Sequence, residues 1–306
     1  MRAHELKSAE GRRPSALNGR TVLRAELYDK RPLPATFRGR VLSWYRRRGR
    51  DLPWRRTRDP YRVLVSEVML QQTQVARVLP AYARFLRRFP TRPSLAQASL
   101  GDVLREWSGL GYNRRARDLQ RAARQSARGL PRDVAELDAL PGVGAYTASA
   151  VACFAYGEAT PFADTNVRRV LGRAIIGRTA TEREAVELDR RFMSRREPAR
   201  WHHALMDIGA TICVARRPRC EGCPLRSVCA YTGADDVVRR RQSPFATSDR
   251  RIRGAIVRLL RDSPRGVTLR ALRRVVIDVR VPRLLRALAA DGLVEVQDHG
   301  LRLPAR

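Results

Sequence analysis

Cys213, Cys220, Cys223 and Cys229 fall in the spacing C-x6-C-x2-C-x5-C, and no other feature restricts so tightly what this chain can fold into. Thiolates are soft ligands, and four of them suit zinc or an iron–sulfur cluster. Zinc sites usually pair two short knuckles, whereas here only Cys220 and Cys223 form one. One loop with wider outer spacings favours wrapping a cuboidal iron–sulfur cluster; four unligated thiols is the bland alternative. The fifth cysteine, Cys153, lies in an apolar stretch and reads as a small buried residue. An odd number of cysteines, four of them clustered, fits a reducing cytoplasm and a metal better than a disulfide framework. Arg216, Arg217 and Arg219 sit between the first two cysteines. A loop stiffened by a metal and bearing three guanidinium groups suits phosphate binding; a simply solvated face is the lesser alternative.

Charge points the same way. The 306 residues carry a formal net charge of +32, and a basic excess of that size looks for a polyanion, of which nucleic acid is the commonest. Almost all of the excess is arginine, as a GC-rich genome also produces. Only Lys7 and Lys30 are lysines, so from residue 31 onward the chain has none. No apolar run is long enough for a membrane span, and the polar opening, Met1 to Arg20, lacks a signal-peptide core. The cytoplasm, in association with the nucleoid, is the expected location.

Residues 1–36 show no sustained periodicity and are expected to be a flexible basic extension. From Phe37 to about residue 232 the pattern is helical almost throughout, with helices expected over 61–73, 75–89, 100–107, 114–127, 133–140, 145–155, 166–176, 182–193 and 203–212. Alternating strand patterns are absent there, so the main body is expected to be all-α. Residues 233–248 read as a linker. Residues 249–306 change rhythm, to three helices and a β-hairpin turning at Asp298-His299-Gly300. That order fits a small winged-helix-like α+β domain.

Leu140-Pro-Gly142-Val-Gly144 separates two helical segments. Its glycines permit a tight turn, and its amides, opening the helix from Ala145, can meet a phosphate oxygen. Asp164 follows in Pro161-Phe-Ala-Asp-Thr-Asn166. With Tyr146 and the cysteine loop, these motifs closely resemble the helix–hairpin–helix base-excision DNA glycosylases. Ser66-Glu67-Val-Met-Leu-Gln-Gln72-Thr-Gln-Val75, Leu52-Pro-Trp-Arg55 and Gly109-Leu110-Gly-Tyr112-Asn-Arg114 narrow the resemblance to the MutY family of adenine-specific mismatch glycosylases. It covers roughly residues 37–232, with the motifs in family order. On the residues alone, Glu67 reads as a member of a buried ion pair, Asp164 as a helix cap and Tyr146 as a core aromatic.

The resemblance implies a monofunctional hydrolase of N-glycosidic bonds that flips out adenine mispaired with 8-oxoguanine or guanine and leaves an abasic site. Glu67 would be the general acid at adenine N7, and Asp164 would stabilise or attack the oxocarbenium-like sugar. Asn166 and Tyr146 would orient them. Gln72, Leu110 and Tyr112 would wedge into the stack, and Gly142, Gly144, Arg216, Arg217 and Arg219 would hold the backbone. The four cysteines would carry one [4Fe–4S] cluster. Strand-cleaving relatives resembling endonuclease III place a lysine where Tyr146 stands, so the lack of lysine implies no imine chemistry. The expected partner is double-stranded DNA containing a mismatched adenine, with no membrane and the chain acting as a monomer. Two departures from the family stand out: Thr165 replaces a common glycine, and no room remains for the family's usual Nudix-like C-terminal domain. A thymine/uracil glycosylase for G:T and G:U mismatches is the runner-up. A non-catalytic DNA-binding or redox-sensing protein on the same fold is a further alternative.

Overall fold

A computed structural model describes residues 34–233, 244–297 and 300–305. Most of the expected extension and linker, and the hairpin residues Asp298 and His299, lie outside them. The first described helix, α1 (Pro34–Arg48), leads through a 3-10 turn at Pro53–Arg55 into α2 (Pro60–Leu70) and α3 (Val75–Arg88). Then come α4 (Arg92–Gln97), α5 (Leu100–Glu106), α6 (Arg114–Gln125), α7 (Val134–Asp138) and α8 (Ala145–Tyr156). α9 (Thr165–Ile176), α10 (Glu182–Phe192) and α11 (Pro198–Thr211) complete the main body, which is all-α among the described residues.

Local chemistry sets these boundaries. Asp59 accepts from Tyr61 N at 2.9 Å and starts α2, with Pro60 as its first residue. Thr91 with Ser94, and Thr181 with Glu184, form reciprocal capping boxes at α4 and α10. Three differences from expectation stand out. α2 stops at Leu70 and not Thr73, because Gln72 takes a left-handed backbone at φ 55°. α4 has no counterpart in the sequence pattern; it is one and a half turns long, too short for a periodic stripe. α11 begins at Pro198, five residues before His203, since proline is at home in a first turn.

Two apolar cores form. One gathers Val63, Leu64, Val68 and Met69 of α2, Phe85 of α3, Trp107, and Val151 and Phe154 of α8. The other gathers Phe37 and Val41 of α1, Val170 and Leu171 of α9, and Trp201, Leu205 and Ile208 of α11. Gly209 lets α9 and α11 approach: a Cβ there would stand 2.5 Å from Asn166 Cβ.

The C-terminal segment consists of α12 (Asp249–Arg261), α13 (Leu269–Val275), α14 (Val281–Ala290) and an antiparallel pair, β1 (Glu295–Gln297) with β2 (Gly300–Arg302). Val267 bridges to Leu301, giving the winged-helix-like order. Its apolar residues, among them Ile252, Leu272, Leu284 and Leu303, are continuous with the first core. Gly101 N donates to Pro304 O at 2.8 Å across that junction. Among the described residues, no helix is long and apolar enough to cross a membrane.

Candidate active site

A cavity of about 570 Å³ opens between the two cores. α2 contributes Glu67, α8 Tyr146 and Phe154, the start of α9 Asp164 to Asn166, and α11 His203 and Met206. Glu67, Tyr146, Asp164 and Asn166, drawn from three separate segments and expected to act together, therefore share one chamber. Glu67 is buried between apolar neighbours of α2. Burial first, and then the charge of Asp164, push its carboxyl up to about 7, against an opposing pull from Arg55.

Asp164 is held differently. It caps α9, with Oδ1 accepting from Asn166 N at 2.8 Å and Val167 N at 2.7 Å. Oδ2 accepts from Asn166 Nδ2 at 2.8 Å. A carboxylate fixed at the positive end of a helix by three donors keeps one orientation, so the cap and the site are the same group. Asn166 Oδ1 in turn accepts from Arg169 at 2.8 Å, and Arg169 also donates to Gly209 O and Cys213 O. Tyr146 packs edge-on against Phe162. Burial, then Glu67 and Asp164, raise its phenol well above the usual range, so it stays protonated.

Sequence reasoning missed the cavity's cationic floor. Asp207, fully buried, accepts Arg50 Nε at 2.6 Å and both terminal nitrogens of Arg55 at 2.8 Å. His203 stacks on Phe154 with ring centres 4.2 Å apart. Burial, then Arg55, drive its pKa well below the ordinary value, leaving it neutral. The Leu52-Pro-Trp-Arg55 segment stands out in the sequence only as a family motif, with no sign of its partner 152 residues away.

Among the described residues, the non-glycine residues with positive φ are Gln72, Tyr112 and Arg217, and each was expected to touch DNA. Left-handed backbone costs such residues about 1–3 kcal/mol and gathers at functional sites. Tyr112 is exposed. Arg115, which sequence reasoning passed over, ties the Gln72 and Tyr112 loops together. Its guanidinium donates to Val68 O at 2.8 Å, Met69 O at 3.0 Å and Gln71 O, and to Leu110 O at 3.2 Å and Gly111 O at 3.3 Å. It lies over the Tyr112 ring at 5.4 Å. Leu110 is only 5% exposed, its side chain packed into the first core beneath the loop.

Gly142 and Gly144 form the turn between α7 and α8. At Gly142, φ is +74° and a Cβ would stand 2.7 Å from Asp118 Cβ. Gly144 leads α8 with no side-chain cap, so no cap side chain occupies its first-turn amides, as an anion site requires.

The cysteine loop follows α11. None of the four thiols is in a disulfide, and Cys213, Cys223 and Cys229 pack against the second core. Among the described residues no three His, Cys, Asp or Glu groups close on a single ion. Burial pushes the Cys223 thiol up to about 11 and raises those of Cys213 and Cys229, so thiolates there call for a cation. Buried Arg173 shapes the loop, donating to Val214 O at 2.9 Å and Ala215 O at 3.0 Å. Arg216, Arg217 and Arg219 project outward, exposed.

Comparison with known proteins agrees with this geometry. Residues 65–194 match the family described as HhH-GPD superfamily base excision DNA repair protein, and residues 213–229 the iron-sulfur binding domain of endonuclease III. An adenine DNA glycosylase of Mycobacterium tuberculosis (strain ATCC 25618 / H37Rv) is 44% identical over 275 residues, covering 83% of this chain and 88% of that protein. The adenine DNA glycosylase of Homo sapiens is 44% identical over 211 residues, 63% of this chain and 39% of its own. A thermostable thymine-DNA glycosylase structure aligns with TM-score 0.60 at 28% identity, covering 68% of this chain and 97% of that one. An endonuclease III–DNA complex aligns with TM-score 0.54 at 24% identity, covering 70% and 96%.

Proposed function

The chain belongs to the adenine DNA glycosylases, and from that membership we propose that it hydrolyses the N-glycosidic bond of adenine mispaired with 8-oxoguanine or guanine in duplex DNA. The observation that carries the mechanism is the unequal pair in one cavity: Glu67, raised to about 7, and Asp164, fixed as an acceptor of three hydrogen bonds. A carboxyl raised by burial beside a carboxyl locked as a hydrogen-bond acceptor assigns the acid and its partner.

The target adenine leaves the stack and enters the cavity. Glu67, protonated near neutral pH, gives its proton to adenine N7, and the C1′–N9 bond breaks with its electron pair going to the base. Positive charge grows on the sugar, where the Asp164 carboxylate stabilises it. Asn166 and the protonated Tyr146 hold that carboxylate and the acid in place. Water then adds its oxygen to C1′ and releases a proton, leaving an abasic site. No lysine follows Lys30, so no imine forms and the strand stays intact.

Gln72 and Tyr112 wedge into the stack from loops joined by Arg115. Gly142, Gly144 and the arginines of the cysteine loop bind backbone phosphates. When bound by Cys213, Cys220, Cys223 and Cys229, a [4Fe–4S] cluster supplies a rigid cross-link that shapes this loop. The enzyme acts as a monomer on nucleoid DNA.

The thymine/uracil alternative is not favoured, since the relatives at 44% identity are adenine DNA glycosylases. Single-turnover base release from duplexes carrying A:8-oxoG, A:G, T:G and U:G tests the reading. Adenine release without thymine or uracil release is expected; release of thymine or uracil alone, or of nothing, overturns it. Borohydride trapping is expected to give no covalent adduct.

A further inference from the structure

The first turn of α6 is badly suited to exist alone. It opens with Arg114, Arg115 and Arg117, has no acid in its first turn, and its leading residue Asn113 makes no side-chain cap. Three cations at the positive end of a helix dipole repel it and one another. Yet this turn directly follows Tyr112, and Arg115 within it joins the Tyr112 loop to the Gln72 loop.

Asp118, just past that turn, pairs with Arg117 at 2.8 Å, and the anion that meets Arg114 directly arrives from the C-terminal segment. Asp291, nearly buried at the end of α14, accepts Arg114 on Oδ1 and Arg253 of α12 on Oδ2 at 2.6 Å. Its backbone carbonyl accepts Arg117. An acid at a helix C-terminus opposes that helix's own dipole, so Asp291 is not explained by capping α14. Arg261 of α12 adds a bond to Ser108 Oγ at 2.6 Å, just before the wedge loop. Two fixed points thus flank residues 109–113.

We propose that the C-terminal winged-helix-like segment is a positioning element for the strand wedge, with Asp291 stabilising the first turn of α6 and thereby holding Tyr112 against the strand opposite the adenine. The segment acts through Tyr112, not through the reacting atoms. The inference rests on the proposed DNA contact of Tyr112.

The test uses the full chain, a duplex with 2′-fluoro-2′-deoxyadenosine opposite guanine, and 2-aminopurine in the opposite strand next to the wedge. In Asp291→Asn, affinity is expected to fall roughly tenfold, with a changed aminopurine signal and a smaller loss of single-turnover rate at saturating enzyme. Asp291→Glu restores most of both. Wild-type affinity and signal in Asp291→Asn overturn the proposal, as does a loss of every readout in proportion to folded protein. Should Asp291→Asn not fold, Arg114→Gln breaks the same contact from a largely exposed side chain, and unchanged affinity and signal there overturn it too. Wild-type adenine release tests the reaction and Tyr112→Ala the wedge, so failure of either is separable from failure of the clasp.

Discussion

Burial, and after it the charge of Asp164, raises the carboxyl of Glu67, and both groups face one cavity. On the proposed mechanism, the anion that steadies the sugar therefore also helps keep the acid protonated. Base release in single turnover should be level below about pH 7 and fall as Glu67 ionises above it. Glu67→Gln should lose about 10²- to 10⁴-fold in rate with mismatched-DNA affinity retained.

The same group makes stability depend on pH. The folded carboxyl binds its proton more tightly than the unfolded one, so stability falls as pH rises from 4.5 to about 7. Above that window Glu67→Gln should be more stable than wild type by about 3 kcal/mol, and the gain should vanish below pH 4.5. Urea unfolding at pH 4, 6 and 8 measures it; a gain independent of pH contradicts the assignment.

Asp164→Asn separates cap from chemistry. Asparagine caps a helix as well as aspartate does, so α9 should persist and unfolding should shift by less than about 1 kcal/mol. Base release should nonetheless drop about 10²- to 10³-fold. Equal small losses in both would leave Asp164 a cap alone.

Asp207 sets a structural limit. Removing it leaves the guanidinium of Arg55, nearly buried in the cavity floor, without its anion. Asp207→Ala should destabilise the fold by about 3–5 kcal/mol, seen as a lower denaturation midpoint. An unchanged midpoint would mean that water satisfies Arg55.

The loop arginines should show themselves in salt dependence. Replacing Arg216, Arg217 and Arg219 with alanine should reduce the slope of log affinity against log salt by about 0.9 for each phosphate no longer neutralised. A weaker affinity at unchanged slope would assign them to loop folding.

The helices were legible because their apolar stripes recur at helical spacing, and Glu67, Asp164 and the cysteines were legible because their motifs are contiguous. What the sequence hid were partners distant along the chain. Arg115 meets carbonyls up to 47 residues away, and Asp207 meets arginines more than 150 away. Backbone carbonyls carry no residue identity, so nothing in the order of residues marks Arg115 or Arg173 as different from other arginines. The burial of Leu110 was hidden for the opposite reason, since a motif position does not reveal which way its side chain turns.

Gln72, Tyr112 and Arg217 hold left-handed backbone that glycine would adopt freely. Laboratory evolution for heat resistance alone should therefore erode these positions early, yielding hardier proteins that search DNA poorly. A screen that rewards both survival and repair should instead leave them untouched and collect its gains elsewhere.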